Sequence, residues 1–311
     1  MEGDDVAYLE AARTVDARAH SDAATDAFRA ALRNDEGDSS GGVAVFEAGA
    51  GTCGMLRRLL ADGALPAGEW VAVDADERVL SAGRERLRAE AGAAGYAVAE
   101  ADDDLLLRDP DGGVLRVRFA VGDARTVAAD RGGGFDGVVA RSFADLLDPD
   151  DVLGLLRTAA PGGWYHLPLT FDGETRVSPP HPADDPVIEA FHGTMRNRGR
   201  AATLLAERFG EAGSPPSVDA RSDWVVEAAT DRGEEAEDDG KGTDRGAGAA
   251  YPAGEAAFLR TLLDTVVAAV RESGAVADAT LSGWAETRGS QLERGELGYV
   301  AVNRDLFGRV P

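Results

Sequence analysis

Three glycines lie between a short apolar run and a helical pattern in the segment FEAGAGTCGM. They are Gly49, Gly51 and Gly54, and the apolar run before them covers residues 43–46. Glycines between a strand and a helix allow a tight turn and a close approach of the backbone to a ligand. Their spacing also satisfies the G-x-G-x-x-G fingerprint of dinucleotide-binding turns, which is a weak signal on its own.

Acidic side chains end three of the predicted strands. Glu47 comes just before the glycine turn, Asp74 ends the next strand, and Asp123 ends a later one in the sequence GDA. A carboxylate at Glu47 would repel a pyrophosphate and attract a cationic group. Asp74 could accept hydrogen bonds from both ribose hydroxyls, and Asp123 could accept one from an adenine amino group. The three acids together predict an adenosine ligand that carries a positive charge and no phosphate.

Four segments in this order resemble the motif set of class I S-adenosylmethionine-dependent methyltransferases. They are EAGAGTCG, WVAVDADERVL, AVGDA and FDGVVAR, within about residues 43–171. The ends of the chain and its LPLTFDGETR segment are similar to uncharacterised haloarchaeal methyltransferases. The family's commonest turn has a glycine where Cys53 stands. We interpret Cys53 as a packing residue, because no neighbouring histidine or aspartate in the sequence would activate its thiol.

The resemblance implies S-adenosyl-L-methionine as the cofactor and a set of residues that bind it: Glu47, Gly49, Gly51, Asp74, Asp123 and Ala124. It implies that Glu47 lies near the methionine part and that Asp74 holds the ribose hydroxyls. The adenine would contact the Asp123 carboxylate and the backbone amide of Ala124. In such a reaction the protein mainly positions the methyl acceptor and excludes water.

The candidates for handling the acceptor lie after the fourth and fifth predicted strands: Arg141, Asp172, His181 and His192. His192 has Phe191 and Met195 nearby, which is typical of an apolar pocket wall with one polar group. We interpret His166 as a packed strand histidine. Tyr8 and Arg13, on the first predicted helix, are further candidates for closing over the cofactor.

Several patterns typical of other substrates are absent from the sequence. It has no N/D-P-P-Y/F/W segment after the fourth strand, no Pro-Cys nucleophile, and no basic stripe interleaved with aromatic residues. The acids between Asp145 and Asp151 are interpreted as a helix N-terminus rather than a metal site. The sequence therefore predicts a small-molecule acceptor and argues against nucleic acid. Two alternatives stay open: an NAD(P)-dependent oxidoreductase and a non-catalytic S-adenosylmethionine-binding protein.

The elements that must position these residues alternate between strands and helices. Predicted strands cover residues 43–46, 70–73, 135–140 and 164–171, a hairpin turns at DPDGG between 105–107 and 114–119, and helices cover 55–60, a stretch ending near 91, and 150–159. This alternation predicts an α/β fold with a Rossmann-like, mostly parallel sheet and helices on both faces.

Outside that core, residues 5–33 are predicted to be helical and residues 172–186 to be a polar, proline-rich loop. Further helices are predicted at about 186–198, 200–210, 258–270 and 276–294, and further strands at 222–226 and 299–302. We divide the chain into an N-terminal helical cap (1–36), a cofactor-binding core (43–171) and a segment (172–311) of helical substrate-lid insertions and last strands. Residues 230–250 are predicted to be a disordered loop.

The composition predicts a cytoplasmic enzyme that has adapted to high salt. The 311 residues include 56 acidic and 32 basic side chains, for a formal charge of −24, and Lys241 is the only lysine. A GC-rich genome would explain the arginines but not the excess of acid. No apolar run is long enough to span a membrane, and the acidic N-terminus does not resemble a signal peptide. The single cysteine excludes a disulfide framework within the chain, and the oligomeric state is left open.

This charge leads to a prediction about salt. Stability should rise between low and molar salt, because repulsion among the acidic side chains is screened over a Debye length of ~3 Å at 1 M. Thermal unfolding followed by circular dichroism across that range would measure the effect. A melting temperature that stays flat or falls would contradict the interpretation as a salt-adapted surface.

Overall fold

The computed structural model describes residues 6–34, 42–228, 251–252 and 254–311. Its strands are β1 (Val43–Ala48), β2 (Gly68–Asp74), β3 (Ala97–Ala101), β4 (Asp104–Arg108), β5 (Val114–Val121), β6 (Gly137–Val139), β7 (Trp164–Ser178), β8 (Val218–Arg221), β9 (Trp224–Val226) and β10 (Gly298–Arg309). Its helices are α1 (Val6–Arg18), α2 (Asp22–Asn34), α3 (Gly54–Ala61), α4 (Glu77–Ala93), α5 (Ala124–Arg131), α6 (Pro149–Ala159), α7 (Asp184–Thr194), α8 (Ala201–Glu211), α9 (Glu255–Ser273) and α10 (Asp278–Glu293).

These strands form one sheet in the order β3-β4-β5-β2-β1-β6-β7-β10-β8, with β9 also paired to β10. The five central strands, from β5 to β7, are parallel, whereas β3, β4 and β10 bring antiparallel pairs to the two sides. Strands β2 to β5 lie on one side of β1, and β6, the next strand along the chain, lies on the other side. This arrangement confirms the predicted Rossmann-like sheet.

The central strands bury side chains on both faces of the sheet, as the continuous apolar runs predict. In β1, Phe46 faces a core formed with α5, α6 and α8, and Val45 faces a second core formed with α2, α3 and α4. Glu47 follows the same alternation and lies on the face of Val45, at the carboxyl end of the strand. The buried strand therefore holds this carboxylate in a fixed position.

The N-terminal helical region differs from its prediction, because two helices replace the single stretch over 5–33. The break falls at Ser21, whose Oγ accepts a hydrogen bond from the Ala24 amide at 3.3 Å. The Ser21 amide donates to the buried carboxylate of Asp305 at 2.9 Å. A partner that lies 284 residues away in the sequence thus holds the turn between α1 and α2, and helical periodicity carries no sign of it.

A second difference is the length of β7, which continues through part of the predicted loop to Ser178 and pairs with β10 as far as Gly298. Residues 172–178 alternate between partly buried and exposed positions but carry mostly polar side chains. They were expected to form a loop because they lack the apolar side chains that mark a buried strand. The predicted hairpin is confirmed, as β4 and β5 pair antiparallel around the DPDGG turn. The predicted disordered loop at 230–250 lies outside the described residues.

The glycine turn packs closely against α4 at Gly83. A Cβ atom at this position would lie 2.7 Å from the carbonyl carbon of Thr52 and 2.8 Å from Sγ of Cys53. Gly92, near the end of the same helix, has nothing within 4 Å of such an atom. Only the first of these two glycines is therefore required by packing.

We expect Gly83→Ala to lower the free energy of unfolding by about 1–3 kcal/mol, because the added methyl group would push the turn away from the helix. The matched control, Gly92→Ala, should raise it by up to about 1 kcal/mol through the higher helix propensity of alanine. Chemical denaturation of both variants measures the difference. Equal stabilisation by both substitutions would contradict the close packing.

Candidate functional site

A cavity of about 310 Å³ lies at the carboxyl ends of β1 and β6. In open α/β sheets this is the place where ligands bind, because the connections from two neighbouring strands leave in opposite directions and open a crevice. The cavity is lined by the glycine turn after β1, the loop after β6, one side of α1, the outer half of β7, and parts of β9 and β10. Each predicted site residue can therefore be placed relative to this cavity.

The glycine turn forms part of the cavity wall, and its conformation explains its composition. Gly49 and Gly51 both have positive φ, at 68° and 54°, and a Cβ on Gly49 would lie 2.4 Å from the Phe143 ring. Cys53, at the start of α3, also has positive φ (58°) and is fully buried. Burial raises the pKa of its thiol, which agrees with its interpretation as a packing residue.

Glu47 lies in the cavity wall at the end of β1 and is 1% exposed. One of its carboxylate oxygens accepts a hydrogen bond from Nε1 of Trp70 at 2.7 Å. Burial raises the pKa of Glu47 to about 7, although the Trp70 hydrogen bond and Arg141 act against that change. A cation in the cavity would favour the ionised form of this group.

Arg141 also lines the cavity and forms an ion pair with Asp16 of α1, at 3.2 Å. Its guanidinium lies against the glycine turn, since a Cβ on Gly54 would be 3.0 Å from its Nη1. Burial raises the pKa of Asp16, and Arg141 opposes that rise. The sequence predicts Arg141 as a site residue but gives no sign of Asp16, which looks like any other polar position of a surface helix.

Asp145 also lines the cavity, and like Asp16 it is not among the predicted site residues. It was grouped with the acids of a helix N-terminus, but it lies in a short 3₁₀ turn (Ala144–Leu146), and α6 begins only at Pro149. Its Oδ1 is buried without a hydrogen-bond partner among the described residues. Burial raises the pKa of Asp145 to about 6.

Asp74 and Asp123 lie beside the cavity at the ends of β2 and β5, and neither lines it. The Asp74 carboxylate accepts hydrogen bonds from the Gly51 amide at 2.8 Å and the Asp76 amide at 3.0 Å. Asp123 accepts from the first amides of α5 and is half exposed. Ala124 follows it as the first residue of that helix. The glycine turn, Asp74 and Asp123 thus follow one another along the carboxyl edge of neighbouring strands.

The structure places His192 behind the cavity wall rather than in it. Its Nε2 lies 3.0 Å from Oγ1 of Thr175, and Thr175 is the residue that lines the cavity. Partial burial lowers the pKa of His192. A molecule in the cavity would therefore contact Thr175, and His192 would act on it only through its hydrogen bond to Thr175.

His181 and Asp172 lie outside the cavity lining and have structural partners. Nδ1 of His181 accepts a hydrogen bond from the Ala183 amide at 3.1 Å, in the turn before α7. Asp172 accepts from the Thr203 amide at 2.9 Å and pairs with Arg304 at 2.9 Å. The sequence predicts both as site residues because they follow the fifth predicted strand. The strand β7 continues through Asp172, however, and the Asp172 side chain binds α8.

Three further expectations concern His166, Tyr8 and Arg13. His166 is buried and stacks on Phe28, with ring centroids 4.5 Å apart, as expected for a packed strand histidine. Burial lowers its pKa to about 4. Tyr8 and Arg13 both line the cavity from α1, where they were placed as closing residues.

Two other features are absent from the part of the chain that the structure describes. No group of three or more His, Cys, Asp or Glu side chains there has the arrangement of a metal site. Within the same residues, no helix combines the length and the apolar character needed to cross a membrane.

The raised pKa of Glu47 leads to a prediction about stability and pH. Between about pH 4.5 and 7 an unfolded chain has released this proton while the folded chain still holds it, so Glu47 makes the folded protein less stable as the pH rises. Glu47→Gln keeps an acceptor for Trp70 and cannot titrate. Its free energy of unfolding should therefore rise relative to the wild type by up to about 3 kcal/mol across this window.

Urea denaturation at several pH values measures that difference. The control is Glu85→Gln, on an exposed position of α4. A pH-dependent gain as large in the control as in Glu47→Gln would show that burial of Glu47 is not its cause.

No protein-family model matches this chain, and no curated protein sequence matches it. Among solved structures, the geranyl diphosphate C-methyltransferase of Streptomyces coelicolor is 12% identical, with a TM-score of 0.38 over 92% of this chain and 76% of that one. The cyclopropane synthase MmaA2 of Mycobacterium tuberculosis is 11% identical, with a TM-score of 0.41 over 91% and 83%. YjhP of Escherichia coli is 14% identical, with a TM-score of 0.41 over 92% of each chain. These TM-scores lie below 0.5, so the likenesses carry no argument about the reaction.

Proposed function

We propose that this protein is an S-adenosylmethionine-dependent methyltransferase that acts on a small molecule. The observation that carries the proposal is a cavity at the point where the strand order reverses, directly beside a glycine turn and with the buried carboxylate of Glu47 in its wall. Bound S-adenosylmethionine would supply a methyl group that is attached to a cationic sulfur. The neutral thioether that remains after the transfer is the leaving group. The protein would have to recognise that cation, hold the adenosine and position the acceptor.

The charges of the cavity suit a cationic amino-acid ligand. Its lining contains the carboxylates of Asp16, Glu47 and Asp145, and Arg141 forms an ion pair with the first of these. A paired arginine and aspartate offer opposite charges to the carboxylate and ammonium groups of a free amino acid. Glu47 then remains as the buried negative group that would attract a sulfonium.

The edge of the sheet beside the cavity suits an adenosine. Asp74 already accepts two backbone amides, but a carboxylate has about four acceptor sites, so two ribose hydroxyls could still bind. Asp123 is half exposed and therefore accessible to an amino group. We assign the ribose to Asp74 and the adenine to Asp123 with the amide of Ala124, while Gly49 and Gly51 allow close approach of the backbone.

α1 would exclude water from the reacting groups. Tyr8, Leu9 and Ala12 on this helix cover the cavity from the side facing the glycine turn, and Leu9 approaches the Cβ position of Gly51 at 3.5 Å. A methyl transfer needs this shielding and a fixed orientation of the acceptor more than it needs proton transfer. The acceptor would lie beyond Glu47, where the cavity wall becomes apolar.

A second candidate function, an NAD(P)-dependent oxidoreductase, is favoured by the position of Arg141. Its guanidinium lies beside Gly54 at the N-terminus of α3, where a pyrophosphate would bind in a dinucleotide fold. Against this candidate, Arg141 is paired with Asp16, and Glu47 adds a negative charge to the same wall. A pyrophosphate would therefore have to share Arg141 with Asp16, at a wall that also carries an acid.

Titration calorimetry with S-adenosylhomocysteine and with NAD separates the two candidates. We expect saturable binding of S-adenosylhomocysteine and none of NAD at the same concentrations. Binding of NAD alone would contradict the proposed function. Transfer of a labelled methyl group to a metabolite in a cell extract would then distinguish an enzyme from a non-catalytic protein that only binds S-adenosylmethionine.

The assignment of Asp74 gives a more specific expectation. Asp74→Asn keeps one carbonyl oxygen but removes the charge, so S-adenosylhomocysteine should bind about 10- to 100-fold more weakly, the range for a hydrogen bond to a charged group. The matched control is Asp103→Asn, in the exposed turn between β3 and β4. Unchanged affinity in Asp74→Asn would contradict the ribose assignment.

A further inference from the structure

The part of the cavity away from the glycine turn is an apolar chamber. Its walls come from α1, β7, α7, β9 and β10. Six of its side chains are aromatic or sulfur-containing, and Thr175, Thr194 and Asn303 add polar groups: the six are Tyr8, Phe171, Phe191, Met195, Trp224 and Tyr299. Most of these side chains are at least nine-tenths buried. The Tyr8 ring stacks on the ring of Phe258, with ring centroids 5.8 Å apart. Such walls favour a ligand with rings or hydrocarbon surface.

The chamber offers no unpaired cation among the residues that the structure describes. Three arginines line the whole cavity, and each has an acidic partner. Arg13 lies 3.5 Å from Glu10, and Arg196 lies 3.0 Å from Asp148. The third, Arg141, pairs with Asp16. An anionic acceptor would have to lose its hydration without gaining a free positive partner, which is strongly unfavourable.

Asp16 and Asp145 both line the cavity next to this chamber, and Asp16 is already paired with Arg141. Tyr8, Tyr299 and Asp145 line the same cavity. Oδ1 of Asp145 is buried and has no partner within the described residues. A buried acceptor atom of this kind is costly unless a ligand or a water molecule donates to it.

We propose that this chamber binds an uncharged, ring-containing acceptor whose single O–H or N–H group donates a hydrogen bond to Oδ1 of Asp145. The inference rests on the proposed function and names its acceptor class. The apolar walls hold the hydrocarbon part of the molecule, and Asp145 orients its polar atom. The same carboxylate rejects acceptors that carry a phosphate or carboxylate group.

Two probe molecules of the same shape test this class. In the presence of saturating S-adenosylhomocysteine at pH 7, 2-naphthol is uncharged and 2-naphthoate is anionic. We expect calorimetry to show binding of 2-naphthol at least about tenfold tighter than that of 2-naphthoate, with quenching of Trp224 fluorescence that is lost in Trp224→Phe. Failure of 2-naphthol to bind, or equal affinity for the two probes, would overturn the inference.

Asp145→Asn tests the role of the carboxylate. The variant should weaken 2-naphthol about tenfold or more, as expected for the loss of a hydrogen bond to a charged group, and should reduce the discrimination against 2-naphthoate. Asp103→Asn is the control and should match the wild type. A thermal unfolding curve by circular dichroism like that of the wild type shows that the variant is folded, and unchanged discrimination in it would overturn the assignment of Asp145.

The two levels of the hypothesis fail in different ways. If the wild type does not bind S-adenosylhomocysteine, the proposed function fails and the acceptor class fails with it. If S-adenosylhomocysteine binds and the protein still does not prefer the uncharged probe, only the acceptor class fails.

Discussion

Two arginines attach α1 to the carboxyl edge of the sheet, and the enclosed cavity depends on them. Arg57 of α3 is almost fully buried and contacts Glu10 of α1 at 2.7 Å and Glu90 of α4 at 2.6 Å. At the other end of α1, Asp16 pairs with Arg141. A buried guanidinium is tolerated only with such partners, so loss of either acid would leave an uncompensated charge. The shape of the cavity and the position of the glycine turn are therefore linked through these pairs.

The opposite wall depends on backbone hydrogen bonds in the long antiparallel pair of β7 and β10. This pair contains irregularities, and at one of them Leu169 has positive φ (57°). The buried carboxylate of Asp305 accepts from the Leu169 amide at 2.9 Å and also from the Ser21 amide, in the turn between α1 and α2. One side chain thus joins the irregular strand to the turn that follows the helix covering the cavity.

The sequence predicts the positions of those candidate residues that directly follow a strand. The glycine turn, Glu47 and Asp74 follow strands with clear apolar runs, so their common edge follows from the alternation of strands and helices. Asp16 and Asp145 could not be found in this way, because their roles depend on the packing of α1 and of a short turn against distant elements. His181 and Asp172 were chosen on the assumption that the chain leaves the sheet after the fifth strand. The polar composition of residues 172–178 concealed the continuation of β7.

The attachment of α1 has a consequence for the time that a ligand stays bound. Movement of α1 away from the glycine turn would widen the exit from the cavity, and that movement separates charges that are largely shielded from solvent: the side chains of Arg57, Arg141, Asp16 and Glu10 are 2%, 13%, 17% and 24% exposed. Dissolved ions screen such pairs far less than they screen exposed charges. The residence time of the ligand should therefore change little with ionic strength, even though the acidic surface as a whole responds to it.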